Sequence, residues 1–111
     1  MRTTYFAKAK SLDPKLNLVS IARKTPPNFP GRVMLELAPS YEMLSEIKRT
    51  GDEEKYTVDF LKQLDSLDVR EVAGKLGEDA ILICYEGKDK FCHRHLVANW
   101  LQEHGYDVEE M

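Results

Sequence analysis

The sequence predicts an α/β fold, a small three-layer sandwich around a mainly parallel sheet, and three observations carry that prediction. The run Ala80-Ile81-Leu82-Ile83 contains no polar residue, as a central parallel strand covered by helices on both faces requires. Several stretches repeat apolar residues at helical spacing, the clearest being Tyr56, Phe60, Leu61, Leu64 and Leu67. The predicted order is strand, strand, helix, helix, helix, strand, helix, strand, and right-handed crossovers then make spatial neighbours parallel. A chain of 111 residues and 12.8 kDa holds one such core, so residues 1–111 form a single domain.

Each element has a local cause. Thr3 to Phe6 reads as a short edge strand, and Leu16 to Ala22 as a firmer one, because Leu18, Val19 and Ile21 suit a pleated surface. The stretch Arg23 to Gly31 holds three prolines and a glycine, which forbid regular structure, so a stiff loop follows that strand. Ser40 caps a helix running through Arg49, with Glu42 near its positive end and Gly51 beyond its last turn. A second helix spans Glu53 to about Ser66. Asp68 and Glu71 form a capping-box pattern for a short helix ended by Gly77, which leads into the apolar strand Ala80 to Cys84. A last helix starts between Asp89 and Cys92 and runs to His104, with Leu96, Val97, Trp100 and Leu101 inward and Gly105 as its stop. Tyr106 to Glu109 returns as a final strand.

Composition narrows the function classes. A hydrophobic fraction of 42% with 32% charged residues is that of a globular domain, and no stretch approaches the ~20 apolar residues needed to cross a bilayer. The N-terminus lacks the apolar core of a signal peptide, so the expected location is cytoplasmic and no membrane partner is expected. There, Cys84 and Cys92 are expected as thiols rather than a structural disulfide. A net charge of -3 and a pI near 5.6 argue against a general nucleic-acid surface. The charge is nevertheless uneven. Arg23, Lys24 and Arg32 lie in one loop, and Lys88, Lys90 and Arg94 in another with Glu86 and Asp89, so the two loops make a positive basin if they meet.

Chemistry is concentrated between Cys84 and His95, the turn from the apolar strand into the last helix. Such turns carry ligands in open α/β sheets. Cys92 stands at the start of that helix, where the dipole and nearby cations favour a thiolate, and His93 beside it supplies a base. A buried packing thiol is the commoner fate of a cysteine, and a structural, hydrogen-bonded role is the more frequent one for such a histidine. Glu86 shares a strand side with Cys84 and is either a general acid/base or an anchor for Arg94, the anchor being favoured. Arg94 in the first helical turn offers a planar fork to phosphate, sulfate or carboxylate, with Arg23 arriving from the other loop. His95 falls on the solvent face, and Cys84 is read as a strand-end packing residue. No metal is assigned, because a Cys-x7-Cys spacing without a second pair fits no zinc knuckle.

The pattern Cys84-x-Glu86-x5-Cys92-His93-Arg94, the segment Val19-Ser20-Ile21-Ala22-Arg23 followed by Pro26, the triplet Leu37-Ala38-Pro39, Lys48 and the Tyr56 to Phe60 helix resemble the short members of domain-of-unknown-function family 488, over nearly the whole chain. The resemblance implies a compact Rossmann-like α/β domain with this signature at the carboxyl edge of the sheet. It carries over no activity and no cofactor. The matching positions add Lys48 and Ser20 to Arg94 and Arg23 as anion-binding candidates, beside Cys92, His93 and Glu86 as catalytic candidates. The leading expectation is a domain that binds a small anionic, phosphate-bearing molecule, with thiol-dependent catalysis through Cys92 if it is an enzyme. The alternatives are a non-enzymatic module for a nucleotide or nucleic-acid end, stacking bases on Phe29, Tyr85 or Phe91, and a purely structural network with function on a partner surface.

Overall fold

The computed structural model describes residues 1–87 and 90–111. Lys88 and Asp89, and with them part of the predicted basin and one proposed start of the last helix, lie outside the described residues. The strands are β1 (Arg2–Tyr5), β2 (Leu18–Ser20), β3 (Arg32–Val33), β4 (Ile81–Cys84) and β5 (Glu109–Glu110). The helices are α1 (Phe6–Ala9), α2 (Tyr41–Thr50), α3 (Glu53–Asp65), α4 (Val69–Leu76) and α5 (His93–Glu103), with a 3-10 turn at Leu35–Leu37.

All five strands are parallel, in the order β3-β2-β4-β1-β5. The apolar β4 is central. It pairs Thr3 with Leu82 on one side and Val19 with Leu82 on the other. Period-2 alternation then sends Leu82 and Cys84 to one face and Ile81 and Ile83 to the opposite one. The first face meets Phe60, Leu64, Val72, Leu76, Val97 and Leu101 from α3, α4 and α5. The second is covered more thinly, by Phe6 and Ala9 of α1 together with Leu12 and Phe29. This completes a three-layer Rossmann-like α/β sandwich.

Three elements differ from expectation. The strand at Thr3 to Phe6 is not an edge, because β1 lies between β4 and β5, and the edges are the two-residue strands β3 and β5. Strand β3 and helix α1 were not anticipated. Helix α1 follows β1 with no intervening turn residue, and β3 sits just past the proline loop, where Gly31 passes so close to β2 that a Cβ would overlap the Leu18 carbonyl.

The predicted caps hold the helices that border the site. Ser40 Oγ accepts from the Met43 N–H at 3.1 Å, and Gly51 ends α2 in the left-handed region at φ 69°. Replacing Ser40 by Ala is expected to cost about 1 kcal/mol in urea denaturation. A change below a few tenths would mean that packing of α2 on α3, and not its cap, holds it. No helix among the described residues is long and apolar enough to cross a membrane.

Candidate functional site

Because β2 and β4 are parallel neighbours, the segments after Ser20 and after Cys84 leave the same edge of the sheet. They meet there: the Tyr85 hydroxyl donates to the Lys24 carbonyl at 2.6 Å. Helix α2 and the start of α5 close a cleft of about 720 Å³ over this edge. Arg23, Lys24, Lys48 and Lys90 line it against two carboxylates, Glu53 and Glu86, so the cleft is positive on a chain whose total charge is negative. Arg32 leaves the predicted basin. Its guanidinium donates to Asn17 Oδ1 and to the Leu76 carbonyl at the opposite edge of the sheet.

Arg23 is positioned by backbone. Its Nε donates to the Pro39 carbonyl at 2.8 Å and its Nη2 to the Ala38 carbonyl at 3.3 Å, with the guanidinium carbon 5.7 Å from the Tyr41 ring centre. Gln63 of α3 donates to the same Ala38 carbonyl at 2.6 Å. The triplet Leu37-Ala38-Pro39 is therefore the buried strap that Arg23 and Gln63 grip. Among the described residues Arg23 pairs with no carboxylate, so its charge is not neutralised locally. Lys48 is exposed on the cleft wall. Ser20 is fully buried, its Oγ 2.7 Å from Thr25 Oγ1 and accepting from the Ala22 N–H at 3.4 Å. Ser20 thus ties the turn that carries Arg23 and does not line the cleft.

The expectation of two separate thiols is not met. The Cys84 and Cys92 sulfurs are joined in a disulfide that links the end of β4 to the start of α5, two elements that pack together. Both residues border the cleft. Cys92 is the N-cap of α5 and makes no side-chain cap bond.

His93 is buried, and its Nε2 lies 2.6 Å from the Ile21 carbonyl oxygen. A carbonyl can only accept, so the proton is on Nε2 and the Nδ1 lone pair is left 3.9 Å from Cys92 Sγ. Burial against Phe60, reinforced by the Arg94 charge and only partly opposed by the Ile21 bond, lowers its pKa to about 4. The ring is neutral at pH 7. Tyr56 forms part of the apolar floor, and burial pushes its phenol up, so it stays protonated.

Arg94 does not face the cleft. It is fully buried behind the disulfide, and its fork closes on Glu110, Nε to Oε1 at 3.0 Å and Nη2 to Oε2 at 2.8 Å. Its Nη1 donates to the Glu86 carbonyl and lies 3.2 Å from Cys84 Sγ. Arg94 therefore anchors the loop through the Glu86 backbone and the Glu110 carboxylate, and not through the Glu86 side chain that the sequence offered as its anchor. The Glu86 side chain is exposed and lines the cleft. Thr3 adds a hydrogen bond to Glu110 at 2.5 Å. Burial alone would raise the Glu110 carboxyl, but the bonds from Arg94 and Thr3 outweigh it and hold the group below its ordinary range.

Glu110 is the residue that the sequence reading missed. A signal for it existed: Arg94 shares the stripe of Val97 and Leu101, and a charge on a buried stripe needs an acid opposite. Among the described residues, Cys84, Cys92 and His93 also bring three ligating atoms within 4.8 Å of one another. Joined sulfurs offer no thiolate to a metal, and the adjacent guanidinium opposes a dication.

The family model DUF488-N3a, described as the active DUF488-N3 subclade, matches residues 2–105. No curated protein and no solved structure matches the chain.

Proposed function

The chain belongs to the DUF488 family, and on that premise we propose that its cleft binds a small anionic, phosphate-bearing molecule and that Cys92, in the reduced protein, reacts with it. One observation carries the reading: the Ile21 carbonyl fixes the His93 tautomer so that a neutral Nδ1 lone pair stands beside Cys92 Sγ, at the wall of a cation-lined cleft. A base held in that way takes the thiol proton as the sulfur attacks. Arg23 and Lys48 supply charge for the anion, and the uncapped N–H groups at the start of α5 add to it. Arg94 holds the sulfur loop from behind, and Glu86 on the rim is the second candidate proton carrier.

The test is alkylation of the reduced protein by iodoacetamide, with Cys92 followed by peptide mapping. Cys92 is expected to react faster than free cysteine near pH 7 and to be protected by inorganic pyrophosphate. Lys48→Ala should weaken that protection roughly two- to fivefold, the range of an exposed charge contact. Reaction no faster than free cysteine sinks the nucleophile. Absence of protection at low salt sinks the anion site.

One observation favours a second reading, a nucleotide-binding module without covalent chemistry. Tyr85 and Phe91 line the same cleft as the cations, whereas Phe29 packs on Phe6 on the other face of the sheet. Salt-sensitive binding of an oligonucleotide, undiminished in Cys92→Ser, would select it.

A further inference from the structure

We propose that Cys84 and Cys92 are a catalytic dithiol–disulfide couple that exchanges with small acidic disulfides, Cys92 being the attacking sulfur and Cys84 the resolving one. The proposal rests on the reactive-Cys92 reading above and extends it to a second sulfur and a substrate class.

Four observations lead to it. The two sulfurs are bonded to each other across the end of β4 and the start of α5, with their Cα atoms 7.6 Å apart, so they lie within reach of one another. Both border the cleft, so a molecule held there can reach the pair. Their surroundings differ in the sense that exchange requires. Cys92, 6% exposed, has the neutral His93 Nδ1 at 3.9 Å to receive a proton. Cys84, 1% exposed, has a permanent cation, Arg94 Nη1, at 3.2 Å to favour negative charge on its sulfur. The more accessible sulfur is thus served by a base, and the enclosed one is prepared as a thiolate or leaving group. In exchange, a sulfur whose charge is stabilised leaves faster.

The steps balance. Cys92 gives its proton to His93 Nδ1 and attacks one sulfur of a disulfide RSSR. A Cys92–SR bond forms, the substrate S–S bond breaks, and RS⁻ departs with the proton from His93. The Cys84 thiolate then attacks the Cys92 sulfur, forming the Cys84–Cys92 bond and expelling the second RS⁻, which solvent protonates. The protein dithiol loses two electrons and the disulfide gains them. Excess thiol runs the sequence backward, entering at Cys92 and releasing Cys84 beside Arg94. Arg23 and Lys48 select an R group that carries a carboxylate or phosphate.

The experiment uses the reduced full chain with oxidised glutathione, an acidic disulfide, and with bis(2-hydroxyethyl) disulfide, a neutral one, read by intact mass and by thiol release. Wild type is expected to release two thiols per chain, to retain no adduct and to end as the internal disulfide. Cys84→Ser should stop at one mixed disulfide on Cys92 with one thiol released. Cys92→Ser should form no adduct faster than free cysteine does. The acidic disulfide should react faster than the neutral one, by a margin that salt removes.

A stable mixed disulfide on wild type overturns the couple, as does an unmodified Cys84→Ser chain. If either result is found while iodoacetamide still modifies Cys92 rapidly, the exchange proposal fails and the reactive-thiol reading stands. If alkylation is slow as well, both fail. Equal rates for the two disulfides overturn the acidic substrate class alone. Thiol release from wild type needs no variant, so a Cys84→Ser chain that does not fold leaves the test intact.

Discussion

Replacing Glu110 by Ala is expected to destabilise the protein by about 3 kcal/mol, the low end of the range for breaking a buried ion pair by removing one partner. The size follows from what stays behind. Arg94 is fully enclosed and cannot lose its proton, so without Glu110 it keeps a charge that neither water nor another carboxylate reaches among the described residues. Glu110 itself keeps a solvent-facing edge, 19% exposed, which places the cost at the low end. The pair as a whole need not be worth that much. Replacing both by apolar residues of similar volume, Arg94→Met with Glu110→Leu, is expected to recover much of the loss, because the desolvation of both charges is relieved together. Urea denaturation of the two single variants and the double variant closes the cycle. A Glu110→Ala chain within 0.5 kcal/mol of wild type would mean that water already screens the pair. The Arg94 Nη1 contacts with Cys84 Sγ and the Glu86 carbonyl add a local readout, since losing the anchor should expose the 85–87 backbone to faster hydrogen exchange.

Parts of this arrangement were legible in the amino-acid sequence because they depend on neighbours in the chain. Ser40, Asp68, Gly51 and Gly77 mark helix ends through bonds that span only a few residues, and the structure places all four at caps. The apolar run before Cys84 could only be a strand buried on both faces. Strand order is different, since nothing in Arg2 to Tyr5 says which strand lies on its far side, and β1 proved interior once β5 added to it. The site was legible to the same extent. That the Arg23 loop and the Cys92 turn share an edge follows from two parallel strands. The direction of Arg94 does not, for Glu86 is near in sequence whereas Glu110 reaches it only through the pairing of β5 with β1. Glu110 also lies beyond the residues that the family model matches. The His93 tautomer rests on a carbonyl 72 residues away, which no local pattern encodes.

Burial of the His93 ring makes the second large effect a dependence on pH. In the unfolded chain His93 titrates near its ordinary value of 6.5, and in the fold near 4, so between those values the unfolded state binds a proton that the folded state refuses. The sign is therefore fixed: the contribution is fully present above about pH 6.5 and is lost as the pH falls toward 4. Between pH 7 and pH 5 the linkage amounts to about 2 kcal/mol. The chain holds two further histidines, His95 and His104, so the comparison must be with a chain that differs at His93 alone. Gln at this position keeps a donor for the Ile21 carbonyl but cannot take up a proton. Wild type is expected to lose stability in urea from pH 7 to pH 5, while His93→Gln starts lower and falls by about 2 kcal/mol less over the same interval. Parallel curves would show that His93 takes up its proton in the fold as readily as in the unfolded chain. A charged His93 would have both nitrogens as donors, and its Nδ1 would then have no lone pair to offer Cys92. The stability curve therefore tests the base on which the chemistry of the cleft depends, without requiring that the substrate be known.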